Sequence, residues 1–272
     1  METALTARRR PLIEWQPIYS MWKREILRFF SMRARVFSFI VSPFTWLVFL
    51  GIPLSRMMPA GQLQLGMPFF SFIVPGVLGM GLLFGGMNSG VTVLWDKEFG
   101  FLKEVMVAPV RRISLIMGRS LGALTVNLLQ ALMTLAVALV AGIWLGFSLD
   151  SVGGFLLALV FILLTFFAAV GFGLTLGALI EETEGYMVIV RVIEMPLFFL
   201  SGGLLPVTAL KGIPILYQVQ FFNPLTYGVD GIRGAFSGVY LISFPVDIAV
   251  VAVCAAVFLT LGAYAFSKME VG

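Results

Sequence analysis

Histidine is absent from this 272-residue chain, and cysteine occurs once, as Cys254 in an apolar run. A disulfide framework or a cysteine metal cluster within the chain is therefore excluded, as are histidine-based proton relays and zinc sites. Charged residues make up only 12% of the sequence. No Gly-Lys pair occurs anywhere, so the phosphate-cradling Gly-x-x-x-x-Gly-Lys-Ser/Thr loop is missing and ATP cannot be held by that device. A serine hydrolase would have only carboxylates or lysines as base. Acids that could sit at membrane depth reduce chiefly to Glu194, with Asp247 near the edge of an apolar run. We expect no catalytic residue, no metal site, no cofactor held by the chain itself and no enzymatic activity of its own.

What the chain has instead is apolar material. Hydrophobic residues make up 60%, including 26 Phe, alongside 29 Gly, and the mean hydropathy is +1.02. A soluble domain is usually about 45–50% apolar, so the excess marks a polytopic membrane protein. The net charge of +4 does not imply nucleic acid, because the bases lie beside membrane segments rather than in a long basic tract. The first 35 residues hold no uninterrupted apolar stretch of the kind a cleavable signal needs, so the first membrane helix is expected to direct insertion.

Six stretches are apolar and long enough to span, near 36–54, 69–91, 115–145, 152–179, 187–202 and 246–266. A span needs about 20 residues at ~1.5 Å each, so the third and fourth are longer than required and the fifth is short. With the N-terminus inside, every Lys and Arg except Arg56, Lys211 and Arg233 falls on the cytoplasmic side. The positive-inside rule then places both termini in the cytoplasm. No internal repeat or soluble domain is evident. The expectation is one all-α membrane domain over 1–272 with three special segments, at 1–35, 92–114 and 203–245.

Residues 1–35 contain a polar tail with Arg8, Arg9 and Arg10, then Pro17 where a helix can begin. Ile18, Trp22, Ile26, Phe29 and Phe30 recur at spacings of three and four, while Lys23, Arg24 and Arg28 fall elsewhere around the helix. That pattern suits a basic helix lying in the membrane interface; a plain polar lead-in to the first span is the alternative. The 92–119 stretch concentrates charge between two apolar runs, so it must lie in water or in a protein interface. It also carries Phe99, Phe101, Leu102, Val105 and Met106, which solvent alone does not favour. Glu98, Phe99, Gly100, Phe101, Leu102, Lys103 and Glu104 read as a short amphipathic helix, stopped near Pro109 and followed by Arg111 and Arg112. Apolar knobs on a wet loop describe a docking surface for a soluble protein.

Residues 203–245 are too apolar for a free loop and too broken by Gly and Pro for one spanning helix. A pair of short helices dipping into the outer leaflet satisfies both facts; an outer loop packed on the helix ends is the alternative. Arg191 and Glu194 can meet on one helical face, either lining a path for polar cargo or neutralising each other at a helix interface. Glu181, Glu182 and Glu184 form an acidic turn, a solvated face or a partner contact. Asn127 and Gln130 share a face of the third span, a pattern commoner for interhelical hydrogen bonds than for ligands. Gly171, Gly173 and Gly177 point to close packing of the fourth span.

Residues 98–110, Glu-Phe-Gly-Phe-Leu-Lys-Glu-Val-Met-Val-Ala-Pro-Val, after the Trp95-Asp-Lys97 lead-in, resemble the signature of type 2 ABC exporter membrane subunits, closest to the daunorubicin-resistance and nodulation-factor-export branch. Asn223-Pro-Leu-Thr-Tyr-Gly-Val-Asp-Gly-Ile-Arg233 is similar to the family's second signature. The resemblance implies a permease subunit of a drug-efflux or lipid-export system in a prokaryotic inner membrane. It would pair with a second copy or a sister permease and dock two ABC ATPase subunits, which would bind the ATP and Mg. Glu98 to Glu104 would be the coupling helix, and Trp22, Arg24, Ile26, Arg28 and Phe29 would form the interfacial helix beside it. The segment holding Pro206, Asn223, Pro224, Asp230 and Arg233 would be the outer gate. Phe70, Phe72, Asn88, Arg191, Glu194, Phe198 and Phe199 would line the pathway, a Phe-rich lining suited to amphipathic or lipid-like cargo. An ion-gradient carrier or channel is the competing reading, but such proteins usually leave several acids in their spans or an inverted repeat. A lipid-modifying membrane enzyme would need converging polar groups, and only Arg191 and Glu194 offer themselves.

Overall fold

A computed structural model of the chain describes residues 15–57, 67–98, 112–147, 149, 151–180 and 182–268. All regular structure among them is helical. Ten α-helices follow in order: α1 Trp15–Ser31, α2 Arg33–Thr45, α3 Ile52–Met57, α4 Phe69–Glu98, α5 Arg112–Leu145, α6 Val152–Leu179, α7 Thr183–Phe199, α8 Pro214–Val219, α9 Pro224–Ser237 and α10 Phe244–Lys268. A π-helical stretch, Trp46–Gly51, joins α2 to α3. It follows Pro43, which lies inside α2 and whose missing N–H disturbs the α-helical ladder there. Two 3₁₀ turns, Val207–Gly212 and Gln220–Phe222, flank α8.

Among the described residues, five apolar helical stretches are long enough to cross a membrane: Val36–Met57, Phe69–Thr92, Ser120–Leu145, Val152–Leu179 and Phe244–Ala265. They correspond to five of the six expected spans. The remaining expected span, 187–202, coincides with most of α7 and the turn after it. At 17 residues α7 is about 26 Å long, short of the ~30 Å hydrocarbon core, and it carries Glu184, Arg191 and Glu194. The helices α4 and α5 extend beyond their apolar stretches, on the sides that face the 99–111 connection.

The helices α4 and α6 form the centre. In the most apolar part of α4, 78% of the residues are buried, against 19% in that of Val36–Met57 and 22% in that of Phe244–Ala265. Between helices in lipid there is no hydrophobic gain to be had, so association depends on close packing and hydrogen bonds. Glycine supplies the closeness. A Cβ on Gly173 would lie 2.7 Å from the Met87 Cα, and one on Gly177 would lie 3.0 Å from the Gly90 Cα. Gly171 faces the other way, toward the backbone of Phe258 and Leu259 on α10. Thus the glycine pattern of the fourth span serves two neighbours, α4 and α10. Tyr186 of α7, wholly buried, donates its hydroxyl to Met87 O at 2.6 Å and also contacts Gly173 O at 3.2 Å. One side chain thereby pins α7 to both central helices.

The helix α9 is the least ordinary element. Its 14 residues span about 21 Å, and every residue from Leu225 to Phe236 is buried, packed among α4, α6 and α10. Asn223 caps its start, accepting from Leu225 N at 3.0 Å, and Pro224 follows at the first helical position. Both choices are the favoured ones. Gly238, with φ +70°, closes the other end in the left-handed conformation glycine adopts readily.

Candidate functional site

Two polar assemblies stand out at opposite ends of α4. The first surrounds the two helix ends that bracket residues 99–111. The helix α1 packs along the first half of α5, where Gly118 and Gly122, four residues apart, clear a flat track on one face. A Cβ on Gly118 would come within 2.8 Å of Met21 Cβ, and one on Gly122 within 3.0 Å of Glu25 Cγ. Trp22 donates its indole N–H to Thr125 Oγ1 at 3.0 Å. The Arg28 guanidinium lies 5.6 Å from the centre of the Trp95 ring near the end of α4, within cation–π range. So α1 holds both α4 and α5. Ile18 and Phe29 are its buried residues; Trp22, Arg24, Ile26 and Arg28 are half-buried, and Phe30 is exposed.

Of the expected docking residues, Phe99, Gly100, Phe101, Leu102, Lys103, Glu104, Pro109 and Arg111 lie outside the described residues. Glu98 is the last residue of α4 and Arg112 the first of α5.

The second assembly is centred on α9. Arg233 is 1% exposed, although the sequence reading counts it with the charges of the outer side. The burial has a visible cause. Its Nη1 donates to Asp230 Oδ1 at 3.0 Å and its Nη2 to Gly202 O at 2.7 Å, while the guanidinium lies 4.1 Å from the Phe72 ring centre. Asp230 in turn accepts from Leu241 N at 2.9 Å and Ile242 N at 2.8 Å. One ion pair therefore ties together α9, the turn after α7, the start of α4 and the link into α10. Gly202 takes φ +69°, a conformation that would strain other residues, and its carbonyl is the one Arg233 reaches.

The start of α9 is tied just as closely to the end of α7. Asn223 Nδ2 donates to Leu197 O at 2.6 Å, and Thr226 Oγ1 donates to Gln220 O at 2.8 Å, with a longer contact to Leu200 O at 3.3 Å. Leu197 and Leu200 carry carbonyls of the kind that a helix end leaves without an intrahelical partner. Gln220 Nε2 bonds Val207 O at 3.2 Å, and Pro206 beside it is buried. Expected residues Pro206, Asn223, Pro224, Asp230 and Arg233 are thus brought into one connected region.

The expected pathway residues are not gathered in this way. Phe70, Phe72 and Phe198 are buried in the protein interior, at 0%, 0% and 1% exposure. Asn88, Arg191 and Phe199 are exposed. Glu194 is buried, and its Oε1 has no hydrogen-bond partner. No ion pair joins Arg191 to Glu194 among the described residues. Glu182 and Glu184 are exposed, and Glu181 lies outside the described residues. Sequence reasoning missed Tyr186 and Gln220, whose only signal was a polar group in an apolar run. It also gave Asp247 too little weight. That residue is wholly buried, and its carboxyl is set against that of Asp230, with Arg233 also within electrostatic reach.

The described residues form a helical bundle in which several helices are apolar and long enough to cross a membrane, with a polar brace at each end of its central helix. Residues 16–237 match the model of the ABC-2 type transporter family, and the chain belongs to that family. It is 27% identical over 223 residues to a Porphyra purpurea protein carrying the name transport permease ycf38, covering 82% of this chain and 74% of that one. It is 25% identical to the protein of the same name from Cyanophora paradoxa, covering 82% and 74%. Family membership makes this chain the transmembrane subunit of an ABC transporter, with an ABC ATPase as its partner.

Proposed function

We propose that the chain is the permease subunit of an ATP-driven exporter for an amphipathic drug, lipid or glycolipid-type molecule, in the daunorubicin-resistance and nodulation-factor-export branch of its family. Six spans, with α7 and the turn after it as the fifth, form half of the pathway in a prokaryotic inner membrane. Both termini lie in the cytoplasm, and a second copy or a sister permease supplies the other half. Two ATPase subunits bind the ATP and Mg and dock on Glu98 to Arg112.

The observation that carries this reading is the brace formed by α1. The ATPase-docking loop connects α4 to α5, and α1 grips both helices beside it through Trp22–Thr125 and Arg28–Trp95. A push on the loop then moves α1, α4 and α5 together rather than bending the loop alone. The helix α4 runs from that brace to Phe72, beneath the Arg233 guanidinium. Closure of the ATPase pair is thereby linked to the α9 region, which acts as a re-entrant outer gate. Two states of the gate, biased by ATP through contacts that differ between them, are sufficient for transport.

The test is affinity purification in mild detergent after co-expression with the neighbouring genes. A soluble ATPase should come down in about equal molar amount, with hydrolysis retained after reconstitution. Glu98→Arg combined with Phe101→Asp should remove the ATPase while the chain still inserts. Co-purification unchanged by that double substitution rules out the docking assignment.

A further inference from the structure

The least explained polar feature of the membrane-spanning region lies between α2, α4 and α5. A cavity of about 130 Å³ is lined there by Ser42 and Pro43 of α2, by α4 from Val77 to Asn88, and by Asn127, Gln130 and Thr134 of α5. All of these positions fall inside apolar stretches long enough to cross a membrane. Polar side chains are costly at such depth. Five of them nevertheless converge, and none is charged.

Their arrangement is built rather than incidental. Gly81 and Gly85 are four residues apart on α4, hence on one face, with the Asn88 amide continuing that face. Asn127 and Gln130 lie over those two glycines: a Cβ on Gly81 would meet the Gln130 amide at 3.6 Å, and one on Gly85 would overlap the Asn127 amide. Small residues on α4 thus make room for two amides of α5. Asn127 uses its Nδ2 on Ala123 O at 2.9 Å. Its Oδ1 has no partner, although the residue is only 5% exposed. Thr134 donates to Gln130 O at 2.9 Å and keeps its acceptor capacity. The Asn127 oxygen is set against Gly85 and closed off from the space, so that residue shapes the wall rather than offering a contact. The walls beside the amides are apolar, with Met80, Val77 and Phe84.

We propose that this cavity binds an uncharged polyol head group of about glycerol size, held by the open amides of Gln130 and Asn88. The volume is close to that of an engineered cavity of about 150 Å³ that takes up benzene, so a head group of six heavy atoms, three hydroxyls on a three-carbon frame, is of matching size. A carboxylate, phosphate or ammonium would meet no counter-charge among the lining residues. An apolar tail attached to the head would run along the Val77, Met80 and Phe84 wall. The inference rests on the reading of this chain as a permease for amphipathic molecules and adds where, and by what chemistry, a head group is held.

The test uses the full-length chain in lipid nanodiscs and needs no ATPase. The probe is a glycerol alkyl ether with a diazirine on the alkyl carbon next to the oxygen. Matched probes carry trimethylammonium or sulfate in place of glycerol. After irradiation, labelled peptides are mapped by mass spectrometry. The glycerol probe should label 77–88 and 127–134, and the charged probes should not. Excess free glycerol should compete if the head alone binds, whereas only unlabelled alkyl glycerol should compete if the tail is needed. Gln130→Leu and Asn88→Leu change half-buried or exposed positions. Each should cut labelling about fivefold, the loss expected for one hydrogen bond, with elution volume and melting temperature unchanged. Equal labelling by all three probes, labelling unaffected by Gln130→Leu and Asn88→Leu, or no labelling of these peptides would each overturn the proposal and leave a hydrated packing defect. ATPase co-purification, measured separately, shows whether the exporter reading survives such a failure.

Discussion

Asp230 and Arg233 lie one turn apart on α9 and are joined by a 3.0 Å bond, with side chains only 4% and 1% exposed. Paired, they leave the buried helix close to neutral, and each spends its remaining bonds on a different neighbouring segment. Removing one partner leaves the other charge uncompensated, which for a buried pair costs about 3–5 kcal/mol. Arg233→Met should lower the thermal unfolding midpoint in detergent accordingly. Arg233→Lys should recover only part of the loss, because an ammonium cannot bond two acceptors in fork geometry while lying flat on Phe72. An Arg233→Met protein that melts with the wild type would refute this account.

Asp247 offers the contrast. It is set against the Asp230 carboxyl and within electrostatic reach of Arg233, so Asp247→Asn removes a second acid from beside Asp230 while leaving an amide N–H that can donate to it. Its melting temperature should be at or above that of wild type. Asp230→Asn, which weakens the anchors to Leu241, Ile242 and Arg233, should melt well below it.

Asn223 serves two helices with one side chain. Asn223→Ala removes the cap of α9, worth about 1 kcal/mol, and strips Leu197 O of its side-chain donor, worth about 1–3 kcal/mol more. Asn223→Asp keeps the cap and loses only the donor, so it should fall between the two. Hydrogen exchange should show the Asn223→Ala loss concentrated at the start of α9 and the end of α7.

Two glycines of α6 should behave in opposite ways. Gly153 lies near the helix start, where an added Cβ would meet only Ser151 Oγ at 3.8 Å. Gly153→Ala should be neutral, or stabilising by about 0.5–1 kcal/mol through reduced chain entropy. Gly173→Ala would place a methyl group 2.7 Å from Met87 Cα and force α4 away from α6. A clear drop in melting temperature is expected for Gly173→Ala alone.

At the other end of α4, Trp22→Phe removes the bond to Thr125, and Arg28→Ala removes the contact with Trp95. Both positions lie outside residues 98–112. The double variant should still co-purify with its ATPase and hydrolyse ATP, but transport per ATP should fall several-fold. Loss of ATPase binding instead would place α1 in the docking surface itself.

Much of this was legible in the chain. Apolar runs marked the long helices, because a segment in lipid must be apolar along its length and satisfy its own backbone. The start and end of α9 were also written locally, in Asn223-Pro224 and Gly238, since capping depends on neighbouring residues. The amide pair Asn127 and Gln130 was visible as a shared face, yet nothing local told that Gly81 and Gly85 would lie beneath it. Arg233 reads as an outer-side charge by position, because the partners that allow its burial lie as far away as Gly202 and Phe72.

By itself the sequence determined the class of protein and its helical repertoire, as hydropathy, charge placement and capping act through residues close together in the chain. Only the tertiary structure decided which charges are buried, which carbonyls meet Arg233 and Asn223, and which glycines touch which backbone. Those outcomes depend on contacts between residues tens to a hundred positions apart, such as Trp22 with Thr125 and Tyr186 with Met87, and no local pattern encodes them.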